Sequence, residues 1–298
     1  MRSPRVDADG TDSTWSDAQG LAAEGRLIGD YLVEFGALKP TDVDGVRQWQ
    51  AKSGLRFGEA ALQLGLVTHA AVSDALAHQY HYPKLLDPRG ALSAELVMAT
   101  RPSHAVSEQL RTLRTQLVVR WGDAKACHTV CVVSTARGEG RSFIAANLAI
   151  AFAQINLRTL LLDLDMRCPS QHELFGLPNR HGVSNVLIGR VPIDEAQVAQ
   201  ASTLSVMACG PEPPNPQELL SAAALTPVLD ALRLRHDVIV IDTPAWCVGA
   251  DALLISAQVQ DTLLISRPGH SLQRPTRQMV TSLRKAGARI VGAVLNQR

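Results

Sequence analysis

The chain has almost no net charge: 29 Lys and Arg stand against 28 Asp and Glu. That balance excludes strong global attraction to nucleic acid or to anionic lipid. It has no C-x-x-C pair. Cys127, Cys131, Cys168, Cys209 and Cys247 are scattered, which reads as free thiols in a reducing compartment rather than a zinc site. No run is long or apolar enough to span a bilayer; the best, residues 143–155, is too short and contains Asn147 and Gln154. The first 20 residues lack the apolar core of a signal peptide and read as a disordered tail. A role at a membrane therefore requires a partner to hold the chain there. Tyrosine is scarce: Tyr31, Tyr80 and Tyr82 are the only three, and the chain ends Asn296-Gln297-Arg298 without one.

What is present suffices for one large or two modest domains, with 298 residues of which 46% are apolar. Residues 21–86 contain a repeat. A shift of 29 positions lays Gly29 on Gly58, Gly36 on Gly65, Leu38 on Val67, Val43 on Val72 and Gln50 on Gln79. Each copy reads as helix, glycine turn, helix, with apolar residues such as Ile28, Leu32 and Val33 on one face. Two such hairpins can bury their stripes against each other as a small all-α domain. Residues 87–103, rich in Pro, Gly and small side chains, read as a linker. From His104 onward, apolar runs of strand length alternate with helical stretches. This predicts a parallel sheet covered on both faces.

Residues 134–142, Ser-Thr-Ala-Arg-Gly-Glu-Gly-Arg-Ser, follow such a strand and open a helix. A loop there aims backbone N–H groups at phosphate oxygens, and the helix dipole favours the same charge. Gly138 and Gly140 permit close approach, and Ser142 stands where a hydroxyl would hold magnesium. Such turns are common, so the carboxylates decide. Asp163 and Asp165 end one predicted strand and Asp242 another. Ligands of open parallel sheets bind beyond the carboxyl ends of the strands, where magnesium takes a few carboxylates plus phosphate.

These three segments resemble the Walker A, A′ and B motifs of the bacterial tyrosine kinases, a branch of the deviant P-loop ATPases. Further likeness lies in Glu108-x-x-Arg111-x-x-Arg114, in Arg167 to Phe175, in Gly210 to Leu220 and in Leu295-Asn296. The resemblance spans about residues 104–298. It implies an α/β P-loop NTPase fold with a mostly parallel sheet, preceded here by the small all-α repeat domain. It implies ATP with Mg2+ as cofactor and phosphoryl transfer to tyrosine. Arg137, Gly138, Glu139, Gly140, Arg141, Ser142, Phe143 and Asn296 would bind the nucleotide, Asn296 near the base. Ser142, Asp165 and Asp242 would hold the metal. Arg141, Asp163 and Asp165 would be catalytic, with Asp163 as proton acceptor; spacing alone does not separate the two acids. Glu108, Arg111 and Arg114 would join subunits into a ring. The wider implication is control of exopolysaccharide chain length, polymerisation and export. The chain would lie in the cytoplasm, peripheral at the inner membrane through a transmembrane chain-length protein, with no nucleic-acid partner.

The amino-terminal repeat resembles the corresponding module of type II secretion and pilus ATPases, some of which bind cyclic di-GMP. Arg56-Phe57-Gly58, Gly65 and Gln79 match its pattern, but in copy one Arg26 is a position early. A protein-docking or structural role is thus favoured over cyclic di-GMP binding for this domain. A second departure lies in the phosphate loop, where Arg141 replaces the family's Lys: a planar fork instead of a compact point charge. This leaves a non-catalytic nucleotide-binding scaffold as the rival reading. A partitioning-type ATPase is the third. Those proteins carry an early second Lys in the loop, where this chain reads Ser-Thr-Ala-Arg.

Overall fold

The computed structural model describes residues 26–69, 71, 72, 75, 76, 91–102, 104–122, 126–259 and 261–297. The expected tail at 1–20, Tyr80 and Tyr82 lie outside them. The chain forms two compact units, Met1–Tyr82 and Pro83–Arg298.

In the first unit the repeat is visible in its local chemistry. Helices Ile28–Glu34 and Phe57–Gln63 begin alike: Asp30 accepts from the Leu27 N–H, and Glu59, 29 residues on, accepts from the Arg56 N–H. Gly36 and Gly65 close the two helices at φ +68° and +69°, conformations that a side chain disfavours. Gly29 and Gly58 are contact points. A Cβ on Gly29 would sit 3.1 Å from the Phe57 ring, and one on Gly58 only 2.9 Å from Val72. Leu32, Leu38, Val46, Ala60, Ala61 and Ala75 form the small core between the hairpins.

In the second unit, seven strands among the described residues form one sheet: β1 (His128–Ser134), β2 (Thr159–Asp163), β3 (Val198–Ala201), β4 (Leu204–Met207), β5 (Val238–Asp242), β6 (Asp261–Ser266) and β7 (Arg289–Leu295). Their order is β3-β4-β2-β5-β1-β6-β7, parallel except for β3. Five of them are the predicted apolar runs. The β3–β4 hairpin was not anticipated, because four-residue strands such as Val-Ala-Gln-Ala carry no apolar run or clear alternation.

Alternation sorts the strand residues between two faces. Val130, Val132, Leu161, Val238 and Val240 join the core beneath α1 (Ala105–Trp121) and α2 (Arg141–Ala153). Cys131, Val133, Leu160, Leu162, Ile239 and Ile241 join the core beneath α3 (Ala222–Arg233), α4 (Asp251–Val259) and α5 (Gln273–Lys285). The same parity carries Asp163 and Asp242, at the ends of β2 and β5, to the face that bears α2. From residue 91 the stretch read as a linker belongs to this unit instead. Leu96, Val97 and Met98 are buried in its first core. Asn147 in α2 accepts from the Met98 N–H at 3.0 Å and donates to the Glu95 carbonyl at 2.9 Å; Gln154 donates to the Met98 carbonyl at 3.0 Å. One polar side chain within this apolar helix and one at its C-cap thereby pair with the backbone of residues 95–98. Among the described residues no helix is long and apolar enough to cross a membrane.

Candidate functional site

The phosphate loop runs from the end of β1 to the first turn of α2. Gly138 and Gly140 hold φ of +74° and +92°, and Gly140 caps α2. A neighbouring loop, residues 267–271, straps it from outside. Arg267 donates to the Gly138 carbonyl at 3.0 Å, and His270 Nε2 bonds the Arg137 carbonyl at 2.8 Å. The Asn296 side chain donates to the Glu139 carbonyl at 3.0 Å. With three carbonyls drawn outward, the loop is pre-organised as an anion cradle.

The side chains of three expected nucleotide contacts, Glu139, Phe143 and Asn296, are engaged within the protein. Glu139 is fully buried; its carboxylate accepts from the Thr135 N–H at 2.8 Å and from the Ser271 hydroxyl, bracing the loop from within. Phe143 is buried in the core with its neighbours in α2, so its offering to a ligand is backbone. Asn296 braces the loop from β7. Arg137 and Gly138 remain exposed.

Arg141 is turned inward and only 7% exposed. Its Nε donates to the Thr243 carbonyl, Nη1 to the Ser134 hydroxyl at 2.7 Å and Nη2 to Asp165 Oδ2 at 3.0 Å; Asp242 Oδ1 lies 3.7 Å from Nε. The guanidinium thus gathers the ends of β1, β2 and β5. A Lys, with one nitrogen, could not make these separated contacts together.

The three carboxylates converge as the motifs imply. Asp163 and Asp242 are register partners on adjacent parallel strands, and both are fully buried. Asp163 accepts from the backbone N–H groups of Asp165, Ser170 and Gln171. Burial, and then the neighbouring Asp242 charge, push its carboxyl well above the usual carboxylate range. Burial likewise raises Asp165 and Asp242, with Arg141 opposing the shift at each. The Ser142 hydroxyl also favours ionised Asp242, yet Asp242 Oδ1 is buried with no hydrogen-bond partner. A buried carboxylate oxygen that takes no hydrogen bond and has only the Arg141 guanidinium, 3.7 Å away, as counter-charge fits a magnesium ligand set beside the Ser142 hydroxyl. Among the described residues no three acidic, His or Cys side chains could hold a metal alone. Magnesium at such sites also takes hydroxyl, phosphate and water, so a three-carboxylate cage is not required.

Motif reading gave no role to Gln171, Thr243 or the 267–271 strap. Their contacts join residues far apart in sequence and carry no local pattern. Asp251 was missed too; it pairs with Arg167 and pins the segment after β2 to α4. On α1, Glu108 pairs with Arg111 within the helix, and Arg114 donates to the Ala151 carbonyl of α2 at 3.1 Å. Each member of that expected subunit contact has a partner inside its own chain.

A family profile described as ParA, NUBPL iron-transfer P-loop NTPase, matches residues 125–298. The tyrosine-protein kinase YwqD of Bacillus subtilis is 31% identical over 206 residues, which cover 69% of this chain and 86% of YwqD. The chain belongs to the bacterial tyrosine-protein kinases, within the P-loop NTPases. Other kinases of the family are longer: the match to Etk of Escherichia coli, 29% identical over 196 residues, covers 65% of this chain but 27% of Etk. Among solved structures, the chimerical protein CapA2B2 superposes with a TM-score of 0.65 at 30% identity, over 76% of this chain and 98% of that one. Membership of this family accounts for the P-loop NTPase fold and its mostly parallel sheet.

Proposed function

We propose that the chain binds ATP with magnesium and transfers its γ-phosphoryl group to protein tyrosine. The observation that carries this reading is the meeting of Ser142, Asp163, Asp165 and Asp242 at the mouth of the phosphate loop. Backbone N–H groups from Gly138 to Ser142 wrap the phosphates. Ser142 and Asp165 hold the metal, with Asp242 acting directly or through water. Bound magnesium supplies positive charge to the β- and γ-phosphate oxygens. Asp163 takes the proton from the incoming tyrosine hydroxyl; its raised affinity for protons suits a general base working nearer neutral pH. Arg141 adds charge from behind the loop and orients the acids. Candidate acceptors are Tyr31, Tyr80 and Tyr82 and tyrosines of another protein.

In this reading the kinase regulates exopolysaccharide chain length and export. It is cytoplasmic and held at the inner membrane by a transmembrane chain-length protein. Glu108, Arg111 and Arg114 form the ring contact after exchanging their internal partners, and the repeat domain docks protein.

A second reading has one observation in its favour. Arg141 spends its donors on Thr243, Ser134 and Asp165. A guanidinium so engaged is unavailable to the γ-phosphate, as befits a nucleotide-binding scaffold. Calorimetry with Mg–ATP, and phosphotyrosine formation on an added Glu/Tyr copolymer, separate the two for the native chain and Arg141→Lys. Binding with transfer supports the kinase. Binding without transfer, restored by Lys, supports the scaffold. No binding of Mg–ATP by the native chain would end both.

A further inference from the structure

Gln171 belongs to none of the phosphate-site motifs, yet it touches all three. It opens the short helix Gln171–Leu174 and is fully buried. Its backbone N–H donates to Asp163 Oδ2 at 3.1 Å. Its side-chain Nε2 donates to Asp242 Oδ2 at 2.8 Å and to the Ser142 carbonyl at 3.2 Å. A carbonyl and a carboxylate can only accept, so both contacts require the NH2 side of the amide, and its orientation is determined. The other side, Oε1, is then a buried acceptor with no partner. Asp242 Oδ1 is likewise buried without a hydrogen bond, with Arg141 Nε 3.7 Å away as its ion-pair partner. A buried acceptor left without a hydrogen bond is costly, and such atoms call for a functional account. Here both belong to one hydrogen-bonded pair of side chains, and that pair adjoins Ser142.

We propose that Gln171 is the positioning residue for magnesium at this site. It ties Oδ2 of Asp242 to the turn that carries Ser142, which leaves Oδ1 of Asp242 for the metal. Its own Oε1 is the acceptor for a donor from the metal's hydration. Partners that orient a metal ligand tune affinity strongly, by about 10–100-fold when removed. The inference rests on the Mg–ATP reading above and assigns the residue that sets how tightly the metal is held there.

The test uses the full chain, a fluorescent ATP analogue and a magnesium titration. Gln171→Met removes the donor at similar length; Gln171→Asn keeps the amide but withdraws it by one methylene. Thermal melts without magnesium establish that each variant is folded at the assay temperature. The expected result is a half-saturating magnesium concentration raised about 10–100-fold, with analogue affinity in EDTA within about twofold of native. Either folded variant suffices. A native magnesium dependence in a folded variant overturns the proposal. So does parallel loss of magnesium-free and magnesium-dependent binding, which marks a structural role only. A native chain that binds the analogue identically with and without magnesium overturns the Mg–ATP reading itself. That failure appears before any variant is measured.

Discussion

Replacing Arg141 with Ala probes the site's assembly without any ligand. The native guanidinium serves Thr243, Ser134 and Asp165 and lies beside Asp242, and side-chain exposures at its ion pairs are 8% for Arg141, 3% for Asp165 and 0% for Asp242. Removal strands two buried carboxylates. Breaking a buried pair from one side costs about 3–5 kcal/mol, against about 0–1 kcal/mol for an exposed pair. In a unit of this size each kcal/mol lowers Tm by about 2–4 °C, so the expected drop near pH 8 is about 6–20 °C. Its pH dependence follows from the same charges. Burial already raises Asp165 and Asp242, and Arg141 opposes that rise. Without Arg141 their folded pKa values climb further above the unfolded value of 3.8. An acid whose folded pKa is raised loses relative stability as pH rises from the unfolded pKa through the folded one. The variant's deficit is therefore full near pH 8 and shrinks toward about pH 5, where protonation relieves the stranded charge. Circular dichroism melts at both pH values, without nucleotide or metal, measure it. A drop under about 2 °C near pH 8, or equal deficits at both pH values, refutes the view that Arg141 is the internal counter-ion of these acids.

Three other outcomes are expected. Gly140→Ala should cost about 1–3 kcal/mol and weaken ATP binding. Its φ is +92° and the new Cβ would lie 2.0 Å from Asn296 Nδ2, so calorimetry showing native affinity would contradict the role of the Asn296 brace. Gly58→Leu should selectively destabilise the repeat unit by about 1–3 kcal/mol, because even a Cβ there meets Val72 at 2.9 Å. Limited proteolysis that leaves this unit as resistant as in the native chain would count against it. Thiol titration near pH 8 should label the exposed Cys168 and Cys247 first. Cys127, pushed up to about 11 by burial, and the buried Cys131 and Cys209 should react only on unfolding. Rapid labelling of a third thiol would show the core to be more open than described.

Sequence alone was enough for the alternation of strands and helices in the second unit. Uninterrupted apolar runs such as Val238–Ile241 can only be buried on both faces, and that burial dictates a parallel sheet. It was enough for the phosphate loop and its acids as well, because glycines and strand-end carboxylates are local features of fixed spacing. The 29-residue repeat also reads directly, since the turn glycines Gly36 and Gly65 and the capping acids Asp30 and Glu59 act within their own turns. Tertiary structure decided the rest. Residues 91–101 look like a linker by composition, yet Leu96, Val97 and Met98 are core, and Asn147, some fifty positions away, meets their backbone. The Glu139 carboxylate is claimed inside the protein by Ser271 and the Thr135 N–H, a role that its place in the loop sequence does not announce. Arg141 reads as a cation facing phosphate, but three acceptors on three separate strand ends turn it inward. Spacing encodes what a residue does within its own turn or strand. Which distant group satisfies a buried charge or amide is determined only when the strands come together.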